Sequence, residues 1–163
     1  EAHTGQPLTD AWMADFYARR NARLEAELQA IEGAVEAVRA VHARLGGRIA
    51  CASGADRFKV EMQLEMVGLA PYFAGRVFSG HEMPRTKPAP DVYLAAAAAL
   101  GVPPARCLVV EDTVTGVAAG VAAGATVVGY SPSPVGHGTP EALRAAGAVQ
   151  VMVHMGELPG LLD

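Results

Sequence analysis

The sequence predicts an α/β fold: a Rossmann-like parallel sheet with helices on both faces, preceded by a helical segment. Three observations indicate this class. After residue 46, short apolar runs alternate with helix-like segments, as in βαβ units. The first 46 residues show helical periodicity alone. The composition, with 51% hydrophobic and 18% charged residues in a chain of 163, is that of one globular domain.

The charge balance and the cysteines exclude several classes of protein. A net charge of −4 argues against a dedicated binder of nucleic acid or of an anionic membrane surface. The longest uncharged stretch, residues 114–130, falls just short of a membrane span and predicts a buried helix followed by a buried strand. Cys51 and Cys107 lie in apolar runs, so we expect buried free thiols, a reducing compartment and a cytoplasmic location.

The helical segment divides at Gly33 into two predicted helices, residues 9–31 and 34–45. Apolar residues recur at multiples of four in the first helix and lie on one face of the second. Thr9 or Asp10 is expected to cap the first helix.

Five strands and four helices are predicted in the remainder. The strands are residues 49–52, 77–78, 108–110, 126–129 and 149–153, and the helices between them are residues 56–67, 91–100, 115–123 and 140–146. Residues 58–66 alternate apolar and polar side chains as a strand would. They are nevertheless rich in good helix formers and follow a strand and a tight turn, so a crossover helix is predicted there.

Ser53 and Gly54 follow the first predicted strand, at the edge where open parallel sheets bind ligands. A hydroxyl beside a flexible glycine and the start of the next helix suits an anion such as phosphate. The alternative is structural: Ser53 or Asp56 caps the helix, and Ser-Gly turns are common.

Lys87 is one of only two lysines, the other being Lys59, and it lies in a proline-rich loop. Pro88 imposes an extended conformation on Lys87, and Pro90 stiffens the end of the loop. Such a loop can hold one ammonium toward a site. The alternative is a solvated surface lysine.

Glu111 and Asp112 directly follow a predicted buried strand. Adjacent carboxylates there repel each other and lose hydration, which a hard cation such as Mg²⁺ compensates. The alternative is helix capping by Asp112 or Thr113. Together with Ser53 and Lys87, the acidic pair predicts a site for a phosphate and its Mg²⁺.

Three glycines recur every fourth residue in the next predicted helix, at Gly116, Gly120 and Gly124. Because glycine has no Cβ, this spacing predicts that the helix approaches the sheet closely.

At these residues the sequence resembles the haloacid dehalogenase (HAD) superfamily of phosphohydrolases. The stretches IACASGA around Ser53, TKPAPDVYL around Lys87 and CLVVEDTVTGVAAGVAAGA around Asp112 are similar to the family's second, third and fourth motifs, in order. The nearest branch is the β-phosphoglucomutase-like group, in which a helical cap precedes the second motif. The resemblance implies that residues 1–46 are the C-terminal part of a cap domain and that residues 47–163 are the HAD-like core.

The resemblance also implies phosphoryl transfer through a covalent aspartyl phosphate, with Mg²⁺ neutralising charge. Ser53 would hydrogen-bond a phosphate oxygen, and Lys87 would contact both the phosphate and the nucleophile. Asp112 would hold the metal, with Glu111 as a second ligand directly or through water. Thr113 and Gly116 would shape the loop beside this acidic pair. Gly54 and Thr113 would also bind the substrate, and Arg20 and Asn21 would face it from the cap. The structural alternative for the last two is a solvated helix face.

The family's first motif, Asp-x-Asp-x-[Thr/Val], has no counterpart in the sequence. Neither aspartate of the helical segment, Asp10 or Asp15, follows an apolar strand or has a second aspartate two residues on. In the family that strand lies between those leading to Ser53 and to Asp112, so we expect two unpaired sheet edges. We also expect the natural protein to continue upstream of Glu1, and the chain by itself not to turn over substrate.

The expected function is Mg²⁺-dependent hydrolysis of a small, sugar-phosphate-like metabolite, with no nucleic acid and no membrane as partner. Two alternatives stay open: a sugar-phosphate mutase, and a non-catalytic HAD-like domain that only binds phosphate. A dehalogenase is less well supported, because the Glu111–Asp112 pair suits a metal and a dehalogenase needs none.

Overall fold

A computed structural model describes residues 9–132 and 138–162. The helical segment consists of α1 (Asp10–Glu27) and α2 (Ala34–Arg44). Strands and helices then alternate in the order β1 (Cys51–Ser53), α3 (Arg57–Met66), β2 (Val77–Ser79), α4 (Asp91–Leu100), β3 (Leu108–Glu111), α5 (Val114–Ala122), β4 (Thr126–Tyr130), α6 (Pro140–Ala145) and β5 (Gln150–Met152). Short 3-10 helices cover Ala70–Phe73, Gly80–Glu82, Pro104–Arg106 and Met155–Leu162.

The predicted α/β alternation is confirmed, with element boundaries shifted by a few residues. The ambiguous segment after β1 is helical, and the Asp56 side chain caps it by accepting a hydrogen bond from the Lys59 N–H at 2.9 Å. Thr9 caps α1 by accepting from the Trp12 N–H at 3.2 Å. α1 ends at Glu27, before the predicted residue 31. None of its residues is buried, so its last turn lacks the packing that stabilises helices.

The strands form two parallel sheets. β1 pairs with β2, and β4 lies between β3 and β5. In the described part of the chain β1 and β3 are not paired with each other, so each presents a free edge. This split agrees with the two unpaired edges expected from the sequence.

An apolar cavity of about 380 Å³, here called the inter-sheet slot, lies between these two edges. Ala52 of β1 and residues 108–110 of β3 line its opposite sides. Helix α2 contributes Val41 and helix α4 contributes Ala97 to its walls. The slot therefore separates the two sheets while the helices bridge them.

Backbone groups of both free edges point into the inter-sheet slot. The Cys51 N–H bonds the Arg76 carbonyl beside β2, and the Thr126 N–H bonds the Cys107 carbonyl beside β4. Because successive strand residues direct their N–H and C=O groups to opposite sides, Ala52 and the residues flanking Val109 direct theirs toward the slot.

The core consists of two apolar clusters on opposite faces of the strands. One joins α4, α5 and α6 to the strands, and its fully buried members include Val92, Val117, Val127 and Leu143. The other joins α2 and the last 3-10 helix to the strands, and its buried members include Ala37, Val128, Met152 and Leu158. Both faces are covered, as predicted for a parallel sheet.

The glycine repeat of α5 has two different roles. A Cβ at Gly120 would lie 2.7 Å from Val127 Cγ2, and one at Gly116 would overlap the Glu111 carboxylate, so close approach is confirmed at both. The prediction is wrong for Gly124, where a Cβ would have no atom within 4 Å. Gly124 instead follows the helix with a φ of 83°, the left-handed conformation that ends helices.

The cysteines are less buried than the sequence predicted. Cys51 and Cys107 are free, and both are partly exposed. Cys107 lines the inter-sheet slot, and Cys51 lines a second cavity that also includes Ser53. An apolar run in a sequence indicates a strand, but it does not indicate whether both neighbouring strands are present.

None of the helices in the described ranges combines the length and apolar character that crossing a bilayer requires.

Candidate active site at the ends of β1 and β3

The loop after β1 is held by hydrogen bonds on both of its sides. Ser53 Oγ accepts a hydrogen bond from the Ala55 N–H at 3.1 Å, and the Ser79 hydroxyl donates to the Ala55 carbonyl at 2.7 Å. Because Asp56 caps α3, Ser53 is not the helix cap. A hydroxyl that accepts one bond keeps its proton, so Ser53 can still donate to an anion. Gly54 is exposed beside it.

Lys87 contacts both of the strands that border the inter-sheet slot, β1 and β3. Its ammonium donates to the Ala52 carbonyl of β1 at 3.4 Å and forms an ion pair with Glu111 Oε1 at the end of β3. The Lys87 side chain is 14% exposed and that of Glu111 is 8% exposed. Lys87 is thus a partly buried cation directed at the sheet edges, and the solvated-surface alternative is wrong.

Glu111 accepts hydrogen bonds from three side chains. Lys87 and the Tyr93 hydroxyl both donate to Oε1, and the Thr113 hydroxyl donates to Oε2 at 3.1 Å. Burial acts to raise the pKa of Glu111. The Lys87 charge and the three donors outweigh burial, so this pKa lies below its ordinary value and the carboxylate stays ionised.

Thr113 explains how α5 begins without using Asp112. Its hydroxyl oxygen accepts from the Gly116 N–H at 3.0 Å and caps the helix, while its proton goes to Glu111. The capping alternative for Asp112 is therefore wrong. Asp112 lies half-buried next to Glu111, at the carboxyl end of β3.

Tyr93 is the site residue that sequence reasoning missed. It is 8% exposed on the buried face of α4, and burial followed by the Glu111 charge raises the pKa of its phenol. The available signal was a tyrosine on an apolar helix face, because a buried phenol needs a hydrogen-bond partner.

Gly116 belongs to the site for a steric reason. The Glu111 carboxylate occupies the space that a Cβ at position 116 would need. The glycine thereby lets the acid lie against the first turn of α5, where the helix N–H groups favour negative charge.

Arg20 and Asn21 of α1 lie next to Asp56, the residue that caps α3. The Arg20 guanidinium donates to Asn21 Oδ1 at 2.9 and 3.0 Å and lies 3.6 Å from Asp56 Oδ2. Its side chain is 21% exposed, so it is not the fully solvated group of the structural alternative. The pair therefore lies beside the loop that carries Ser53.

The acidic residues offer an incomplete metal site. In residues 9–132 and 138–162, no group of three or more His, Cys, Asp and Glu side chains is arranged to hold a metal ion. The adjacent Glu111 and Asp112 supply two carboxylates. That is the kind of set Mg²⁺ uses when water and substrate phosphate complete its coordination. The donor chemistry fits Mg²⁺ on that condition.

Comparison with known proteins places this geometry in a family. A family model described as haloacid dehalogenase-like hydrolase matches residues 1–124. The 6-phosphogluconate phosphatase of Escherichia coli is 31% identical over 146 residues, which are 89% of this chain and 62% of the phosphatase. The chain thus spans less than two thirds of that relative's length.

Two solved structures superimpose on nearly the whole chain. A HAD family hydrolase from Deinococcus radiodurans, with bound phosphate and sodium, gives a TM-score of 0.81 at 32% identity, covering 98% of this chain and 76% of its own. A Thermotoga maritima structure assigned as a beta-phosphoglucomutase gives a TM-score of 0.82 at 25% identity, covering 98% and 71%. The predicted resemblance is confirmed: the chain belongs to the haloacid dehalogenase-like hydrolases.

Proposed function

We propose that this chain is the phosphate-binding part of a Mg²⁺-dependent phosphohydrolase that acts on a small, sugar-phosphate-like metabolite. The observation that carries the proposal is Lys87. It brings the end of β1, next to Ser53, and the end of β3, at Glu111 and Asp112, to a single ammonium group.

The chemistry of these groups suits a phosphate dianion. The Lys87 ammonium at 4 Å from a phosphate oxygen would contribute about 4 kcal/mol at an effective dielectric constant near 20, before desolvation. The Ser53 proton supplies a directed hydrogen bond to a second oxygen. Being partly buried and hydrogen-bonded, Lys87 need not be ordered when the anion binds.

Asp112 and Glu111 would hold Mg²⁺ in this proposal. When bound, the cation would neutralise charge on the phosphoryl group. Glu111 Oε1 already accepts from Lys87 and Tyr93, so Oε2, which accepts from Thr113, is the oxygen with remaining capacity.

The relatives support the substrate class. A 6-phosphogluconate phosphatase is similar to 89% of the chain, and a HAD hydrolase that binds phosphate superimposes on 98% of it. We infer a phosphorylated sugar or sugar acid as substrate on this basis.

We further propose that a β-strand outside these 163 residues completes the sheet. The inter-sheet slot is apolar, and β1 and β3 present free edges on its two sides. A strand parallel to both would satisfy these edges, and its carboxyl end would arrive beside Lys87. An aspartate following that strand would be placed as the nucleophile.

Residues 1–46 are proposed to form the C-terminal part of a helical cap, and residues 47–163 the core. α1 packs no buried side chain in this chain and exposes Trp12 and Phe16, as a helix does when its neighbours are absent. Arg20, held beside Asp56, would contact the substrate from the cap.

Binding of inorganic phosphate, followed by phosphorus NMR and calorimetry with Mg²⁺ present, tests the proposal on the chain itself. We expect Lys87→Met to weaken binding about tenfold or more, because it removes a charge-assisted bond. Ser53→Ala should weaken it by about threefold to tenfold without disturbing the ion pair. Lys59→Met, which removes the other lysine, is the matched control and should bind as the wild type. Wild-type affinity in both site variants would overturn the proposed site.

Hydrolysis of p-nitrophenyl phosphate by the longest natural polypeptide that contains this chain tests the activity. Turnover that Mg²⁺ supports and EDTA abolishes is expected. Phosphate binding with no turnover would favour the non-catalytic domain, and turnover unaffected by EDTA would contradict the metal assignment.

A further inference from the structure

Tyr93 contacts both members of the partly buried ion pair formed by Lys87 and Glu111. Its hydroxyl donates to Glu111 Oε1, and the Lys87 ammonium lies 4.8 Å from the centroid of its ring. Tyr93 lies in α4, which follows the loop that carries Lys87, and it reaches across to Glu111 at the end of β3.

The two contacts constrain different degrees of freedom. The hydroxyl and the ammonium share Oε1, which fixes the rotation of the Glu111 carboxyl group about its last bond. Oε2 is thereby turned toward Thr113. The ring face lies beside the ammonium and closes one direction in which Lys87 could swing, at a distance typical of a cation–π contact.

The helix can impose these constraints because Tyr93 is itself fixed. α4 packs Val92, Ala96 and Ala97 against the strands, and all three are buried. The phenol is 8% exposed and cannot move without disturbing that face. Lys87, by contrast, lies in a loop outside the regular elements.

We propose that Tyr93 is a positioning residue: its hydroxyl orients Glu111, and through Glu111 and the ring face it holds the Lys87 ammonium at the sheet ends. In this proposal Tyr93 acts through Glu111 and Lys87, the two groups that it contacts. The claim that Lys87 is positioned to bind phosphate rests on the proposed function. The claim that Tyr93 positions Lys87 does not.

The test exploits the two lysines of this sequence. In protein labelled at the lysine ε-carbons, NMR gives one set of signals for Lys59 and one for Lys87. A side chain held in one conformation beside a ring has two ε-protons with separate shifts, and a freely rotating one has averaged shifts. We expect separate shifts for Lys87 in the wild type.

Tyr93→Phe keeps the ring and removes the hydroxyl. We expect the separation of the Lys87 ε-proton shifts to narrow toward that of Lys59. Inorganic phosphate binding should weaken by about twofold to tenfold, because Lys87 must then be ordered when the anion binds. Tyr72→Phe is the matched control, because the Tyr72 hydroxyl accepts from Arg39 at 3.2 Å outside the site. This control should change neither measurement.

A folded Tyr93→Phe variant with the wild-type Lys87 separation would overturn the proposal. Averaged Lys87 shifts in the wild type would also overturn it, and that measurement does not depend on the variant folding. If the wild type fails to bind phosphate, the proposed function is wrong, but the NMR comparison still decides the role of Tyr93.

Discussion

Asp56 shows at the residue scale how one carboxylate serves two elements. Oδ1 caps α3 at the Lys59 N–H, and Oδ2 faces Arg20 of α1 at 3.6 Å. The Lys59 backbone hydrogen bond, with a smaller effect from Arg20, lowers the pKa of Asp56 below its ordinary 3.8. The residue therefore links the helical segment to the loop that carries Ser53.

Asp56→Ala is expected to lower the free energy of unfolding by about 1 kcal/mol at neutral pH, because the helix loses its cap. Asp56→Asn keeps a capping oxygen and should lower the free energy of unfolding by only about a few tenths of a kcal/mol. Because the pKa is lower in the folded state, the stabilisation is complete above pH 3.8 and is lost as the pH falls through the folded-state value. Urea unfolding at a series of pH values measures this. The free energies of unfolding of the wild type and of Asp56→Ala should converge as the pH falls below 3.8. A difference in the free energy of unfolding that stays the same at every pH would contradict the capping role.

The role of an individual site residue could be predicted only where its neighbours in the sequence determine its local structure. This was the case for Lys87, which lies between prolines, and for the Glu111–Asp112 pair, which directly follows a strand. The partner of Lys87 and the presence of Tyr93 could not be predicted in this way, because their contacts join the loop before α4, and α4 itself, to the end of β3. Sequence spacing alone carries no information on that distance.

At the scale of elements, α5 lies against the sheet through its glycines. A Cβ at Gly120 would be 2.7 Å from Val127 Cγ2 and 3.3 Å from Val109 Cγ1, both in the closely packed strands β4 and β3. The apolar, glycine-rich stretch at residues 114–130 forms the helix and the strand that the sequence predicted. The strand is buried as predicted, but the helix is buried on one face only and exposes Val114 and Val121.

Gly120→Ala should destabilise the protein by about 1–3 kcal/mol, because the added methyl group forces the helix away from the sheet. This effect outweighs the gain in helix propensity of about 1 kcal/mol. Thermal unfolding measures it. Gly160→Ala is the control, since a Cβ there meets no atom within 4 Å, and its midpoint should stay unchanged. An increase in stability for Gly120→Ala would show that the contact is not close in solution.

Helix and strand identities were predicted well because periodicity and the flanking glycines and prolines fix them locally. Boundaries were predicted less well. β1 begins at Cys51 although the apolar run begins two residues earlier, because pairing with β2 starts at Val77. The short 3-10 helices have no periodicity long enough to detect.

At the scale of the whole molecule, the fold is two parallel sheets bridged by helices and by Lys87. α2 and α4 both line the inter-sheet slot. The sequence predicted this division only through the missing first motif, since no local pattern reports an absent neighbour. The apolar lining and the helices that wall the slot required the structure.

Amide hydrogen exchange tests whether a strand fills the slot. In this chain we expect faster exchange at Ala52 and Leu108, whose N–H groups face the slot, than at Cys51 and Val109, which face β2 and β4. In a longer natural polypeptide that supplies the strand, the two slot-facing amides should become as protected as their neighbours. If the slot-facing amides of the isolated chain exchange as slowly as the amides that face β2 and β4, the edges of β1 and β3 are not free.

The space beside Glu111 has a consequence for how this protein can change over generations. The acid occupies the volume that any side chain at position 116 would need. A mutation at Gly116 is therefore tolerable only after the acid has been lost or moved. Where the carboxylate stays in this position, we therefore expect only glycine to be accepted at position 116, although four residues separate the two positions in the sequence.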